Sequence, residues 1–425
     1  MPKLKRVITF WEALAINIGA IIGAGIFAIS GLAAGIAGPS VLISITIGAA
    51  IALVTGLSVA ALAHVYAREG GGYEYSRRTL GRYMGLVAGL TFAVSGSIGG
   101  AVMVLSFGGY LADSLGNSVS PVLIAIAAVA ALSLINYVGV KDSARLSAVL
   151  TVIKLLVLAV FVLVGVFFIK PANYVPFVPN GWSSVLVGSA FIFFAYAGFA
   201  RITTLGEEVR DPKRTIPRVI LSSVLISMIV YLVVMVVLIG MTSYSNVAGS
   251  SSPLSAAIIA ATHDRLIGTV IAIGAMFATI NVALMMILGL SRVIFAMARN
   301  GDLPGIFSRL SRFGTPGYAI LFTSAVMVAA ILATSYRQIV AISNAGSLLG
   351  YIVINGALLA LLLRKPGVFG RELYGRSYFK VVPVLGIMLA LILMSFLTGL
   401  SLALTAVVLV LITVYYLFLR SRERG

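Results

Sequence analysis

One lysine sits where a charge is expensive. Lys154 lies inside the apolar run LTVIKLLVL (150–158), about eight residues in from the nearer end of its stretch. At about 1.5 Å per residue that is roughly 12 Å of depth. A lysine charge near the middle of a bilayer costs at least about 2.5–3.5 kcal/mol. Such a lysine must be paired, held by backbone carbonyls, or neutral for part of a working cycle, because burial disfavours an ammonium. The chemistry available to it is proton exchange, or standing in for a bound monovalent cation. The plainer alternative is a lysine that lines a watery vestibule and repels cations.

A second group of residues offers backbone instead of side chains. In GAIIGAGIF (19–27), Gly19, Gly23 and Gly25 place three glycines within seven residues. FAYAGF (194–199) is again small-residue-rich in the middle of an apolar stretch. Unwound backbone at membrane depth is tolerated only where it is buried in protein or lines a cavity. The N-terminus opened at a break presents N–H groups that suit a carboxylate. The C-terminus opened beside it presents carbonyls that suit an ammonium or another cation. One break can therefore hold a zwitterion, which carries both charges a few ångströms apart. Small residues at such spacings also serve close helix packing, and both readings stay open on the glycines alone.

These residues need spanning helices to position them. The 425-residue chain is 60% hydrophobic and 10% charged, far below the roughly 25% charged residues of a soluble domain. Apolar runs separated by short charged clusters predict spans over 12–35, 40–66, 84–114, 121–139, 146–169, 184–208, 217–240, 267–298, 318–335, 338–363, 381–398 and 401–419. Gly399 is the only break between the last two. The segment 250–263 is too short to span and reads as a re-entrant or capping helix. The first run is too long for a signal-peptide core of about 7–15 residues.

Lysine and arginine alternate with these spans. One side of the membrane receives 25 of the 30 and the other receives Lys170, Arg265 and Arg337, with Lys154 and Arg201 inside spans. That bias places both termini in the cytoplasm. It also accounts for the net charge of +18 without a nucleic-acid groove. The absence of cysteine excludes disulfides and metal–thiolate sites, and His64 and His263 fall near helix ends, so neither a metal site nor a cofactor is expected. The acids and histidines gather at span ends and loops, leaving no catalytic cluster, and no phosphate-binding G-x-x-x-x-G-K-[ST] loop is present. A membrane enzyme, an ATP-driven pump and a channel with a charged filter are thereby disfavoured.

The two weakened spans are the first and the sixth. They lie five spans apart, so they enter the membrane from opposite sides, as two inverted five-helix units would.

In this order of motifs the chain resembles the amino acid–polyamine–organocation transporter superfamily. GAIIGAGIF (19–27) is similar to its first-helix signature. AREGGGYEYSRRTLG (67–81) is similar to its loop motif, with Ala67 where proline is common. FAYAGFARITTLGEEVRDPKRTIPR (194–218) and SRVIFAMARNGDLPGIFSRLSRFGTPGYA (291–319) look like the loops that follow its sixth and eighth helices. The resemblance implies an all-α integral membrane fold of about twelve helices: two inverted five-helix repeats (1–169 and 184–363) with broken helices 1 and 6, as in the LeuT-like fold, plus two C-terminal helices (381–419). It implies a secondary transporter in the cell membrane that works by alternating access. Its expected partners are an amino acid substrate, membrane lipid and a proton as coupling ion. The substrate carboxylate would meet N–H groups at Ala24, Gly25 and Ile26. Its ammonium would meet carbonyls near Ile21, Phe194 and Ala197, with Phe194 as an aromatic lid or simply a packed ring. Lys154 would donate to Gly19 where a related transporter places sodium, giving sodium-independent and proton-coupled transport. Ala200 stands where relatives often carry an acid, and Arg201 where they carry a small residue. The loss of the acid argues against dibasic substrates and for small neutral ones, and Arg201 is expected to pair with Glu207 or Glu208. The alternatives are an exchanger (antiporter) without net proton coupling and a polyamine or amine transporter.

Overall fold

The structure is a computed structural model that describes residues 8–23, 25–66, 71–139, 143–205, 209–250, 252–369 and 377–422. The described residues are helical throughout, apart from turns and a single isolated bridge between Ile8 and Val209. In chain order the helices are α1 (Phe10–Ile21), α2 (Ser30–Ala37), α3 (Val41–Val65), α4 (Gly71–Leu80), α5 (Arg82–Ser114) and α6 (Pro121–Val138). There follow α7 (Ser143–Gly165), α8 (Trp182–Ile192), α9 (Pro212–Met241), α10 (Tyr244–Val247) and α11 (Pro253–Thr262). The last are α12 (Arg265–Arg299), α13 (Gly317–Ala333), α14 (Tyr336–Arg364), α15 (Val381–Ser395) and α16 (Gly399–Arg422).

Nine stretches among the described residues are long and apolar enough to cross a membrane. The first of them, Phe10–Val65, covers the two expected spans 12–35 and 40–66. The shorter apolar helices Gly317–Ala333 and Val381–Ser395 fall on two further expected spans. The all-helical membrane fold therefore agrees with the pattern of apolar runs. The break near Gly399 is real: α15 ends at Ser395, and the Thr398 hydroxyl accepts from the Ser401 N–H to start α16. The segment expected to be re-entrant or capping contains the ten-residue helix α11, which packs on α9 and α12.

α5 is the central post, packed against α4, α6, α12, α13, α14 and α16. α9 packs on α1, α3 and α7. One face of each peripheral helix is left apolar and exposed. On α7, Val149, Val152, Leu156, Val160 and Leu163 form such a stripe at helical spacing, and this is the face that meets hydrocarbon. Lys154 lies off that stripe and is fully buried in the protein.

Candidate binding site at the two helix breaks

The first span begins with a capping box. The Thr9 N–H and hydroxyl each donate to Glu12 Oε2 at 2.8 Å, which satisfies N–H groups that a helix start leaves open. α1 then stops at Ile21, because Ile22 turns to extended backbone (φ −76°, ψ 90°). The chain resumes as a π-turn over Gly25–Ile29 and runs into α2. In the sixth span α8 stops at Ile192. Tight 3-10 turns over Phe193–Tyr196 and Arg201–Leu205 follow, with hydrogen-bonded turns between them. Both weakened segments are thus interrupted, and both are buried in protein.

The two breaks touch main chain to main chain. A Cβ built on Gly25 would lie 2.5 Å from Ala195 Cα, and one on Gly198 would lie 2.2 Å from the Ala20 carbonyl oxygen. Only glycine fits at these two crossings. Close backbone approach is therefore the immediate reason for both glycines.

Side chains from neighbouring helices satisfy the opened carbonyls. The Tyr231 hydroxyl of α9 lies 2.8 Å from Ile21 O and 2.9 Å from Ala195 O. A hydroxyl has one hydrogen, so it shares that hydrogen between two acceptors, one at each break. Tyr351 of α14 donates to Ala197 O at 3.3 Å. Phe194 O accepts from the Ala197 N–H at 3.1 Å. The phenylalanine ring is buried, with Gly99 of α5 facing it so closely that a Cβ there would lie 3.2 Å from Phe194 Cε2.

Lys154 Nζ donates to Gly19 O at 2.5 Å. Gly19 lies in the last turn of α1, where carbonyls lose their helical partners. Ammonium and helix C-terminus attract each other there, since the terminus carries partial negative charge. Thr151, one turn earlier on α7, leaves no room for a side chain at Gly19: a Cβ would lie 2.3 Å from its hydroxyl.

A cavity of about 30 Å³ opens beside this contact, lined by Ile16, Gly19, Ala20, Arg201, Asn281, Val282 and Met285. It has room for about one or two waters. Asn281 is buried there, and its Oδ1 accepts no hydrogen bond among the described residues. Thr279 of the same helix donates to Ala275 O at 2.9 Å. The structure thus gathers Gly19, Ile21, Gly25, Ile26, Lys154, Phe194 and Ala197 around the two breaks. Ala24 lies outside the described residues, as do Glu207 and Glu208, the expected partners of Arg201. Among the described residues no group of three or more His, Cys, Asp or Glu side chains is placed to hold a metal.

Sequence reasoning missed Asn17, Tyr231 and Tyr351. Asn17 is fully buried and bonds Phe199 O, Ser223 Oγ and the Ile202 N–H, all about two hundred positions away in the chain. A polar residue in an apolar run was the available signal, and Asn17 carried it unread.

The sequence matches known proteins along most of its length. Residues 8–423 match the family model described as amino acid permease. The chain is 36% identical over 362 residues to an uncharacterized transporter of Mycobacterium tuberculosis, covering 84% of this chain and 81% of the relative. It is 27% identical over 443 residues to the branched-chain amino acid permease of Bacillus subtilis, covering 99% and 95%. It is 28% identical over 449 residues to the methylthioribose transporter of the same organism, covering 100% and 95%.

Proposed function

The chain belongs to the amino acid permease family, a multi-pass membrane transporter and not an enzyme, and from that premise we propose that it carries small neutral amino acids without sodium, by alternating access between two inverted five-helix repeats. In this reading Lys154 takes the place of a sodium ion and couples transport to protons. The single observation that carries it is the 2.5 Å hydrogen bond from Lys154 to Gly19 O. A protonated lysine and a sodium ion are both monovalent cations, and each would fasten the end of α1 by the same carbonyl. When the ammonium loses its proton, the carbonyl loses a charge-assisted bond, which is about twice as strong as a neutral one.

The substrate's ammonium is assigned to the carbonyls that Tyr231 now shares, Ile21 O and Ala195 O, together with Phe194 O and Ala197 O. Its carboxylate is assigned to the start of the second half of the first span, at Ala24, Gly25 and Ile26. Arg201 on the adjoining cavity wall repels a cationic side chain, which favours neutral substrates over dibasic ones. The named relatives are a branched-chain amino acid permease and a methylthioribose transporter, and the first of these supports a neutral amino acid here.

Two experiments test the reading. In a thermal-shift screen against the common amino acids and polyamines, a ligand at 100 times its Kd stabilises by about 2.7 kcal/mol; neutral amino acids should do so and polyamines should not. In proteoliposomes, Lys154→Ala should lose uptake driven by an inward proton gradient and keep counterflow. Undiminished pH-driven uptake by that variant would remove the coupling role.

A further inference from the structure

Asn17 is a side chain built into another helix. Its Nδ2 donates to Phe199 O at 2.9 Å and its Oδ1 accepts from the Ile202 N–H at 3.2 Å. Phe199 and Ile202 are three residues apart, the spacing of one rung of a 3-10 turn. The rungs on either side are made by the backbone itself, from Arg201 N–H to Gly198 O at 3.0 Å and from Thr203 N–H to Ala200 O at 3.1 Å. The carboxamide has entered the rung between them and completes it as a peptide group would. Backbone partners also settle which way the amide points, since a carbonyl only accepts and an N–H only donates. The second Nδ2 hydrogen goes to Ser223 Oγ at 2.7 Å, and Ser223 passes its own hydrogen to Ile220 O on α9. Both Nδ2 hydrogens and the Oδ1 of this fully buried amide thus join α1 to residues 199–202 and to α9.

A second tie joins the same two segments where they begin and end. Ile8, just before α1, bridges Val209, just after the sixth span, and the Arg210 N–H donates to Ile8 O at 2.9 Å. The opposite flank of α1 differs. There a cavity, which Arg201 also lines, lies between Ile16, Gly19 and Ala20 and the residues Asn281, Val282 and Met285 of α12, and Lys154 of α7 donates to Gly19 O. One flank is fastened by neutral, fully matched hydrogen bonds at two levels. The other has a void beside a bond to an ionisable group and the close approach of Gly23 to Val282 and of Gly19 to Thr151.

We propose that Asn17 is a positioning residue for transport: it clasps α1 to the second half of the sixth span, so that both swing away from α7 and α12 as one body. This rests on the alternating-access reading above and adds the side chain that holds the two segments together. A first half-helix that swings alone would have to break the completed rung in every cycle. The clasp makes the seam on the α12 side the one that parts.

The chain has no cysteine, so introduced pairs can be linked without background. Linking Ile8→Cys to Val209→Cys should leave uptake within twofold of the unlinked chain, whereas linking Ile16→Cys to Val282→Cys across the cavity should stop it. In Asn17→Ala the half-saturating substrate concentration at one membrane face should shift at least fivefold relative to the other. Mere loss of folded protein would lower the maximal rate and leave both concentrations unchanged. A readout that needs no substrate runs beside these: the rate at which a soluble maleimide labels Met285→Cys should be the same with and without the Ile8–Val209 link. A link that stops uptake in a transporting parent, or slows that labelling more than tenfold, would overturn the clasp. A parent that takes up no amino acid would strike the proposed substrate class, and the labelling rates would still judge the clasp.

Discussion

Gly198 and the Ala20 carbonyl show how little slack the site has. A methyl group at Gly198 would sit 2.2 Å from that oxygen, so the two breaks would have to move apart by about an ångström to admit it. Overpacking of this kind costs about 1–3 kcal/mol, and the displaced backbone adjoins Ile21 and Ala197, whose carbonyls are proposed to hold the substrate ammonium. Gly198→Ala should therefore lower the melting temperature and weaken substrate stabilisation in the same thermal-shift titration. Gly289→Ala is the control, because nothing lies within 4 Å of a Cβ there and alanine is the better helix former by about 1 kcal/mol; it should be neutral or stabilising. Equal effects of the two substitutions would mean that the crossing is not tight. Some of this site was legible in the sequence. A lysine in an apolar run and glycines crowded at mid-span both violate local expectation, so Lys154, Gly19 and Gly25 announced themselves. Tyr231 and Tyr351 did not, because a tyrosine among apolar residues reads as ordinary core. Their hydroxyls acquire meaning only once folding brings Ile21 O, Ala195 O and Ala197 O to them.

The amphipathic helix α4 shows what elements outside the spans contribute. It is held by Asp302, which follows α12 and is fully buried. Arg77 Nε donates to Oδ2 at 2.9 Å, Arg82 Nε donates to Oδ1 at 2.6 Å, and the Tyr73 hydroxyl donates to Oδ2 at 2.6 Å. Burial, and the bond to that carboxylate, push the Tyr73 phenol above its usual range, so it remains a donor across the working pH range. One carboxylate thereby fixes the loop helix and the start of α5 to the end of α12. Removing its charge leaves two arginines facing each other beside an unmatched amide. Asp302→Asn should destabilise the protein by on the order of 3 kcal/mol, read as a lower melting temperature in detergent. An unchanged melting temperature would mean that α4 is held by packing alone. Pairings of this kind were not legible beforehand. Hydropathy located the helices and their ends to within a few residues, because a bilayer forces apolar runs of fixed length. Which loop meets which depends on contacts more than two hundred residues apart, as between Arg77 and Asp302, and no local pattern carries that.

Across the whole molecule, the contacts sort the loops into two ends. At one end Ile8 meets Val209, Asp302 meets Arg77 and Arg82, and Arg364 donates to Thr79 O. At the other, Asn180 donates to Ile36 O, and Ser252 bonds Asp113. The first group is the lysine- and arginine-rich side of the alternation and the second is the poor side, so folding and charge agree on which loops belong together. The charge bias predicts that the positive end faces the cytoplasm, since positive loops are retained on the side of synthesis. The orientation has mechanistic weight, because the seam between α1 and α12 lies towards the positive end. If that end is cytoplasmic, parting of the seam delivers substrate inward and lets Lys154 exchange its proton with the cytoplasm. The cysteine-free chain makes the test direct. In intact cells a membrane-impermeant maleimide should label Asn117→Cys, in the exposed turn after α5, and should label Ser421→Cys near the end of α16 only after permeabilisation. The opposite pattern would turn the molecule over, and Lys154 would then draw its protons from outside.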